Sequence, residues 1–314
     1  MPPPVPDTWR LGQGDERARV AIVGCGGAGC NTLRHVLPPP NAERIALNDA
    51  PHPSMAGLSR RILVSPDSLH AYASMDEKAI PTLATNEEKD ISNALVGTDL
   101  ALLLGGFGGE LGGWAMALVG RVARIMGDAS LALATIPFSA EGMLRRQSAD
   151  AQLEVLRKRV DGVVTFGNDE LLRLAPKLPL TKAFAALGAI MAQPTTGLPA
   201  VLARADVVPL KRMLSKAKEW RFGMGAGTEK HRCFLAVDEA YHSPWFTGRY
   251  EDVRQAIALI GAPRDLKVDE EILHEIRIRS PLADVAWGLL PEPTAADRVV
   301  VLLLAGLDVR LATP

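Results

Sequence analysis

Thr98–Gly127 reads TDLALLLGGFGGELGGWAMALVGRVARIMG, three kinds of segment in succession. Leu100–Leu104 is an apolar run of strand length. Gly105, Gly106, Gly108, Gly109, Gly112 and Gly113 come next, and Trp114–Met126 carries apolar residues at helical spacing. Strand, glycine loop and helix start form a geometry in which backbone N–H groups and a helix N-terminus can receive a phosphate. Glycines at such spacing also serve tight turns and close packing. Glu110 stands inside the loop. A carboxylate facing a phosphate repels it by about 4 kcal/mol, taking unit charges about 4 Å apart at an effective dielectric of roughly 20. Glu110 therefore points away, or shares a cation with the ligand, or closes the loop to phosphate.

A second run of the same kind lies near the N-terminus. Arg19–Val23 is a short apolar strand, Gly24-Cys25-Gly26-Gly27-Ala28-Gly29 follows, and a helix is expected over Asn31–Leu37, stopped by Pro38, Pro39 and Pro40. GxGxxG between strand and helix permits the tight turn and the close backbone approach that a phosphate needs. Arg44–Leu47 reads as the next strand and ends at Asn48-Asp49. In dinucleotide enzymes an acidic residue about 20 residues on holds the ribose. Asp49 fits that spacing, so an NAD-dependent Rossmann oxidoreductase stays open. The other reading is that Asn48 and Asp49 turn the chain.

Composition narrows the class. The chain has 314 residues, room for two domains, with 47% hydrophobic and 23% charged residues and a net charge of −1. No sustained positive field points to nucleic acid; the basic clusters at Arg157–Arg159 and Lys211–Lys218 read as solvated helix faces. Cys25, Cys30 and Cys233 show no CxxC spacing, which implies neither a zinc site nor a disulfide framework and fits a reducing cytoplasm. No apolar run approaches the ~20 residues of a membrane span, so direct membrane insertion is not expected.

Further strands are expected at Ile62–Val64, Leu131–Thr135 and Val163–Phe166, with helices at Asn86–Leu95, Glu141–Val160 and Leu178–Met191, the last broken by QPTTGL at 193–198. Such alternation implies a parallel sheet covered on both faces, its ligand site at the carboxyl ends of the strands. The expected division is a Pro-rich flexible arm over 1–18, a nucleotide-binding domain with a central helix over 19–205, and an α+β domain over 206–314. Gly223–Gly227 is read as the start of the second domain's distinct segment, followed by a helix at Cys233–Ser243.

Taken together the loops resemble those of a known family. GCGGAGCN at 24–31, the Asn48-Asp49 turn, IPFSAEGMLRR at 136–146 and VDGVVTFGNDELL at 160–172 are similar, in order, to the nucleotide loops of the tubulin/FtsZ superfamily, above all its FtsZ-like branch. FGMGAG and AVDEAYHSPWF resemble the opening of that family's second domain, so the likeness runs from about Val20 to Leu307. It implies an α/β fold: a Rossmann-like parallel-sheet nucleotide-binding domain plus a second α+β domain. It also implies GTP or GDP as ligand, with magnesium, held by Gly24, Gly26, Gly27, Gly29, Asn31, Asn48, Gly108, Gly109, Glu110, Pro137, Glu141, Arg145 and Asn168. The implied partner is the chain itself, in head-to-tail filaments or a homo-oligomer, with a membrane adaptor protein as a further partner and a role in cell division.

The sequence departs from the family where the chemistry lies. The family's phosphate loop GGGTGTG is GGELGGW here: Glu110 replaces a glycine, Leu111 and Gly113 replace threonines, and Trp114 replaces the last glycine. Between Glu170 and Asp206 there is no Asp or Glu, so the acid that reads guanine from the family's central helix is missing. In the family, the loop after that helix brings two acids to the neighbouring subunit's site. Asp206 matches the second, as the remaining catalytic candidate, and Ala203 stands for the first. Hydrolysis is therefore expected to be weak or lost, and Arg145 is free to pair either with a phosphate or with Glu110. Three readings stand: an FtsZ-like filament subunit, a nucleotide-free regulatory module that does not polymerise, and the oxidoreductase, which explains the first loop and Asp49 alone.

Overall fold

The computed structural model describes residues 7–58, 60–67, 69, 85–217, 219–264, 266–291, 294 and 297–307. In chain order the strands are β1 (Thr8–Arg10), β2 (Val20–Cys25), β3 (Ala42–Asn48), β4 (Arg60–Leu63), β5 (Leu100–Gly106), β6 (Ala129–Ile136), β7 (Gly162–Gly167), β8 (Glu219–Gly227), β9 (Val253–Gly261), β10 (Asp284–Leu289) and β11 (Val299–Leu307). The α-helices are α1 (Gly26–Leu33), α2 (Asn86–Leu95), α3 (Gly112–Met126), α4 (Met143–Arg159), α5 (Asn168–Leu174), α6 (Leu180–Val201), α7 (Val207–Ala217), α8 (Arg232–Tyr241) and α9 (Asp269–Arg279). The chain forms two compact units, one of Ala18–Pro199 and one of Met1–Arg17 with Ala200–Pro314. They part at Pro199/Ala200, a few residues before the expected 205/206.

In the Ala18–Pro199 unit six strands pair in parallel, in the order β4-β3-β2-β5-β6-β7. Every residue of β2 is buried, as a parallel strand covered on both faces requires. Alternate residues Ala21, Val23 and Cys25 of β2 and Ala101 and Leu103 of β5 share a core with α2, α3 and α4, the two-residue period of a strand. The order reverses direction between β2 and β5, and there both glycine loops leave the sheet. This is the topological switch point at which open α/β sheets hold their ligands.

Two expected helix boundaries are corrected. The first helix spans Gly26–Leu33 rather than Asn31–Leu37: the glycines themselves make its first turn, with only Gly26 at positive φ (68°). The second correction is that QPTTGL does not break α6, which runs to Val201 with Pro194 and Pro199 inside it. Met191, Ala192, Leu198 and Val201 are buried, so packing outweighs the roughly 3 kcal/mol that an interior proline costs. Near Pro194, the Thr195 hydroxyl donates to the Met191 carbonyl at 2.8 Å, a contact within the helix itself.

In the other unit β1-β10-β9 run parallel, and β11 pairs antiparallel with β9 and β8. Gly223–Gly227 lies inside β8. A Cβ at Gly223, Gly225 or Gly227 would come 2.0–2.2 Å from backbone oxygens of Ala240, Ala236 and Arg232, so the alternating glycines let α8 lie directly on the strand. The flexible arm expected over 1–18 is corrected where it is described. Thr8–Arg10 joins β10, Gly12 N–H donates to Asp206 Oδ2 at 2.7 Å, and Arg204 N–H donates to the Glu16 carbonyl at 2.8 Å. These backbone bonds to distant residues are what fix the segment.

Candidate functional site

The glycines of the first loop divide by role. A Cβ at Gly24 would lie 2.6 Å from Leu33 Cδ1, and one at Gly29 would lie 2.1 Å from the Leu104 carbonyl oxygen. These two let α1 close on β2 and β5. Gly26 brings its backbone against the start of α3, where its Cβ would sit 3.1 Å from Gly112 N and Cα. Gly27 is exposed, and a Cβ there would meet nothing within 4 Å. Gly109 of the second loop is open in the same way. Neither α1 nor α3 has a side-chain N-cap or an acidic residue in its first turn. Two unsatisfied helix N-termini, each with partial positive charge, thus meet at the switch point beside open backbone.

Gly108 has φ 85° and needs glycine for a second reason, since its Cβ would lie 2.8 Å from the Arg145 carbonyl oxygen and 3.1 Å from Pro137 Cγ. Pro137 and Arg145 are thereby packed onto the loop. Arg145 pairs with Glu141 (Nε–Oε2, 3.0 Å), one helical turn away, and Glu141 also accepts from Phe138 N–H at 2.8 Å. The pairing of Arg145 with Glu110 held open by the sequence is therefore corrected. Glu110 is exposed and makes no ion pair among the described residues. Trp114 is half-buried against the core shared by α3 and α4.

The remaining residues sit around this centre at strand ends. Asn48 closes β3, its amide donating to the Ala50 carbonyl at 2.9 Å. Asn31 is exposed on α1. Asn168 follows β7, is 4% exposed, and its Oδ1 has no hydrogen-bond partner among the described residues. A buried amide oxygen left so is costly, and a ligand donor would relieve it. Burial pushes the Cys25 thiol up, with the nearby Cys30 adding to it, and burial pushes Cys30 to about 11. Both stay neutral, so neither adds negative charge beside the loops.

Sequence reasoning missed Gln152 of α4. It is fully buried, its Oε1 accepts from Gly108 N–H at 2.8 Å, and its Nε2 donates to the Gly109 carbonyl at 2.6 Å. Asp206 belongs to the other unit. It is 8% exposed, and its Oδ2 accepts from both Gly12 and Ala203 N–H groups, at 2.7 and 2.9 Å.

No family model matches the chain. It is 30% identical over 289 residues to the cell division protein FtsZ of Methanothermobacter thermautotrophicus, covering 87% of this chain and 75% of the relative. An empty FtsZ dimer of M. jannaschii superposes with TM-score 0.78 at 23% identity, over 92% of this chain and 88% of that one. A GTPγS-bound CetZ2 protofilament of Haloferax volcanii gives 0.69 at 14% identity, over 93% and 94%. The parallel sheet, its two glycine loops at the switch point and this likeness along most of the chain agree: the chain belongs to the FtsZ family of the tubulin/FtsZ superfamily.

Proposed function

We propose that this FtsZ-family chain binds a guanine nucleotide in its Ala18–Pro199 unit, associates head to tail with its own copies, and hydrolyses GTP slowly or not at all. The nucleotide reading is carried by the two uncapped helix N-termini that meet at Gly26 and Gly112, with open backbone at Gly27 and Gly109. Such a place favours a polyphosphate. Arg145, about half exposed, is the cation at hand, and the unpaired Asn168 Oδ1 suits the N–H groups of guanine. Bound GTP supplies the phosphoanhydride bond that water cleaves; this chain's residues hold and orient it. Among the described residues no cluster of His, Cys, Asp and Glu could cage a metal. A magnesium ion would rest on phosphate oxygens, with Glu110 as the loop's carboxylate.

Weak hydrolysis is supported at the 200–206 loop. Ala203 is fully buried and carries no acid, and Asp206 spends one oxygen on two backbone N–H groups. A general base must reach the proton it takes, and an oxygen held this way is poorly placed to do so. Self-association is supported by the dimer and the protofilament among the structural neighbours. No helix of the described residues is long and apolar enough to cross a membrane; contact with one would run through an adaptor protein. One observation favours the nucleotide-free module instead: Glu110 lies in the loop, whose Gly108 N–H is already bonded to Gln152.

The test is nucleotide chromatography after heat release from the purified protein, with sedimentation, negative-stain microscopy and phosphate release in GTP. The expected result is stoichiometric guanine nucleotide, filaments, and phosphate release near background. A chain that retains no nucleotide, binds none at millimolar GTP and stays monomeric overturns the proposal in favour of the module. Robust turnover overturns its last clause.

A further inference from the structure

We propose that Gln152 is the positioning residue of the Gly108–Gly113 loop, and that Gly113 is its matched partner. The inference rests on the nucleotide reading for its functional consequence, though not for its geometry. A fully buried glutamine amide must find partners for both ends. Gln152 reaches from α4 across 44 positions of sequence to accept from Gly108 N–H, and its NH2 group donates to the Gly109 carbonyl. The two bonds fix which end is oxygen, because an N–H faces one and a C=O the other. The amide lies where a side chain at position 113 would begin: a Cβ there would come 2.5 Å from Oε1 and 2.7 Å from Cδ. Gly113 is therefore glycine because Gln152 fills its space, and Gln152 can reach the loop because Gly113 is glycine.

This arrangement decides what the loop presents. The Gly108 N–H is turned to α4 and withdrawn from any ligand. The Gly109 carbonyl is held by the Gln152 amide, and a Cβ at Gly109 would meet nothing within 4 Å, so the loop is open on that side. The loop is thus shaped before a ligand arrives, and fewer degrees of freedom remain to be lost on binding. Threonines stand in the family's loop at positions where this chain has Leu111 and Gly113, so here the shaping contact comes from a neighbouring helix.

Five proteins test it: wild type, Gln152→Met, Gln152→Ala, Gly113→Ala, and Gly113→Ala with Gln152→Ala. Met keeps the length and bulk of the side chain and deletes both hydrogen bonds. The readouts are GDP affinity by calorimetry, peptide-resolved hydrogen exchange, and urea unfolding. Gln152→Met is expected to weaken GDP binding roughly tenfold, by lost preorganisation, and to raise exchange at Gly108 while the β5 and α3 amides stay protected. Gly113→Ala alone is expected to do the same, and the double variant to bind GDP about as the weaker single does, because both singles break the one Gln152 contact. A structural role alone would shift urea midpoints and leave GDP affinity and exchange at Gly108 unchanged. Gln152→Met with wild-type affinity and unchanged exchange at Gly108 overturns the assignment, as does a double variant whose loss is the sum of the Gln152→Ala and Gly113→Ala losses. If wild type binds no GDP, the nucleotide reading fails by itself, and exchange at Gly108 together with the unfolding cycle decides Gln152.

Discussion

Gly27→Ala is expected to move stability and binding in opposite directions. Gly27 is the second residue of α1, without a positive φ, and a Cβ there meets nothing within 4 Å. Alanine can take that backbone without strain, and it loses less conformational freedom on folding. The ligand-free protein should gain about 0.4–1 kcal/mol. In the complex the same methyl stands where phosphate oxygens approach the first turn. Displacing them costs one charge-assisted hydrogen bond of roughly 1.5–3 kcal/mol, or about ten- to a hundredfold in affinity. Gly29→Ala is the control. Its Cβ would stand 2.1 Å from the Leu104 carbonyl oxygen, so α1 must move off β5 at a cost of ~1–3 kcal/mol. Urea unfolding without nucleotide and GDP titration by calorimetry read both quantities. A Gly27→Ala protein that is stabilised and still binds GDP as wild type does would refute the reasoning. It would mean the open side of Gly27 does not face the ligand.

Glu110→Gln should tighten GDP binding a few-fold at low salt and less at high salt. The carboxylate is exposed, so the penalty lies near the watery limit of about 1 kcal/mol rather than the interior value; weaker binding seen only with magnesium would make Glu110 a metal ligand. Ala203→Asp should lower the melting temperature rather than restore turnover, because the new carboxylate would be buried beside Asp206, whose Oδ2 already holds the Ala203 N–H; a rise in phosphate release with no thermal cost would contradict this. Stability should fall on the alkaline side. Burial raises Cys30 to about 11 and Cys25 upward, so above about pH 8.5 the unfolded chain binds fewer protons than the folded one, and the loss grows until the folded thiol itself titrates near pH 11. Urea midpoints across pH 7–11 should show this slope, reduced in Cys30→Ala.

The sheet and its two glycine loops were legible because their signals are local. Apolar runs of strand length end in glycine and pass into helical periodicity within about a dozen residues. Asn168 and Pro137 were reached through resemblance, and their neighbours in space were not. Gln152 left no trace in the sequence. It sits in a helix dominated by Arg145, Arg146 and Arg157–Arg159, and its role exists only once α4 has docked against a loop 44 residues away. Of the two partners the sequence leaves open for Arg145, Glu110 fails because a glutamate four residues earlier on the chain outcompetes one in another loop. QPTTGL, with Pro194 in it, reads as a breaker because propensity is local, while the burial that keeps it in α6 is not. Thr8–Arg10 read as part of an arm because three residues carry no periodicity, and the strand they join lies almost a whole chain away.

That last pairing sets an order on synthesis. The Ala18–Pro199 unit is continuous in sequence and can complete its sheet while the ribosome is still working. The other unit is split, and its first strand waits for β10. Asp7 N–H bonds to the Asp284 carboxylate, 277 residues later. At translation rates of about 5–20 residues per second, residues 7–10 spend roughly 14–55 s without their edge partner. Contacts so distant in sequence close slowly even afterwards. The return of the earliest residues to the edge of β10 is therefore a late step in making this protein, and a nascent chain arrested before residue 284 would carry one finished unit and one still without its β1–β10 edge.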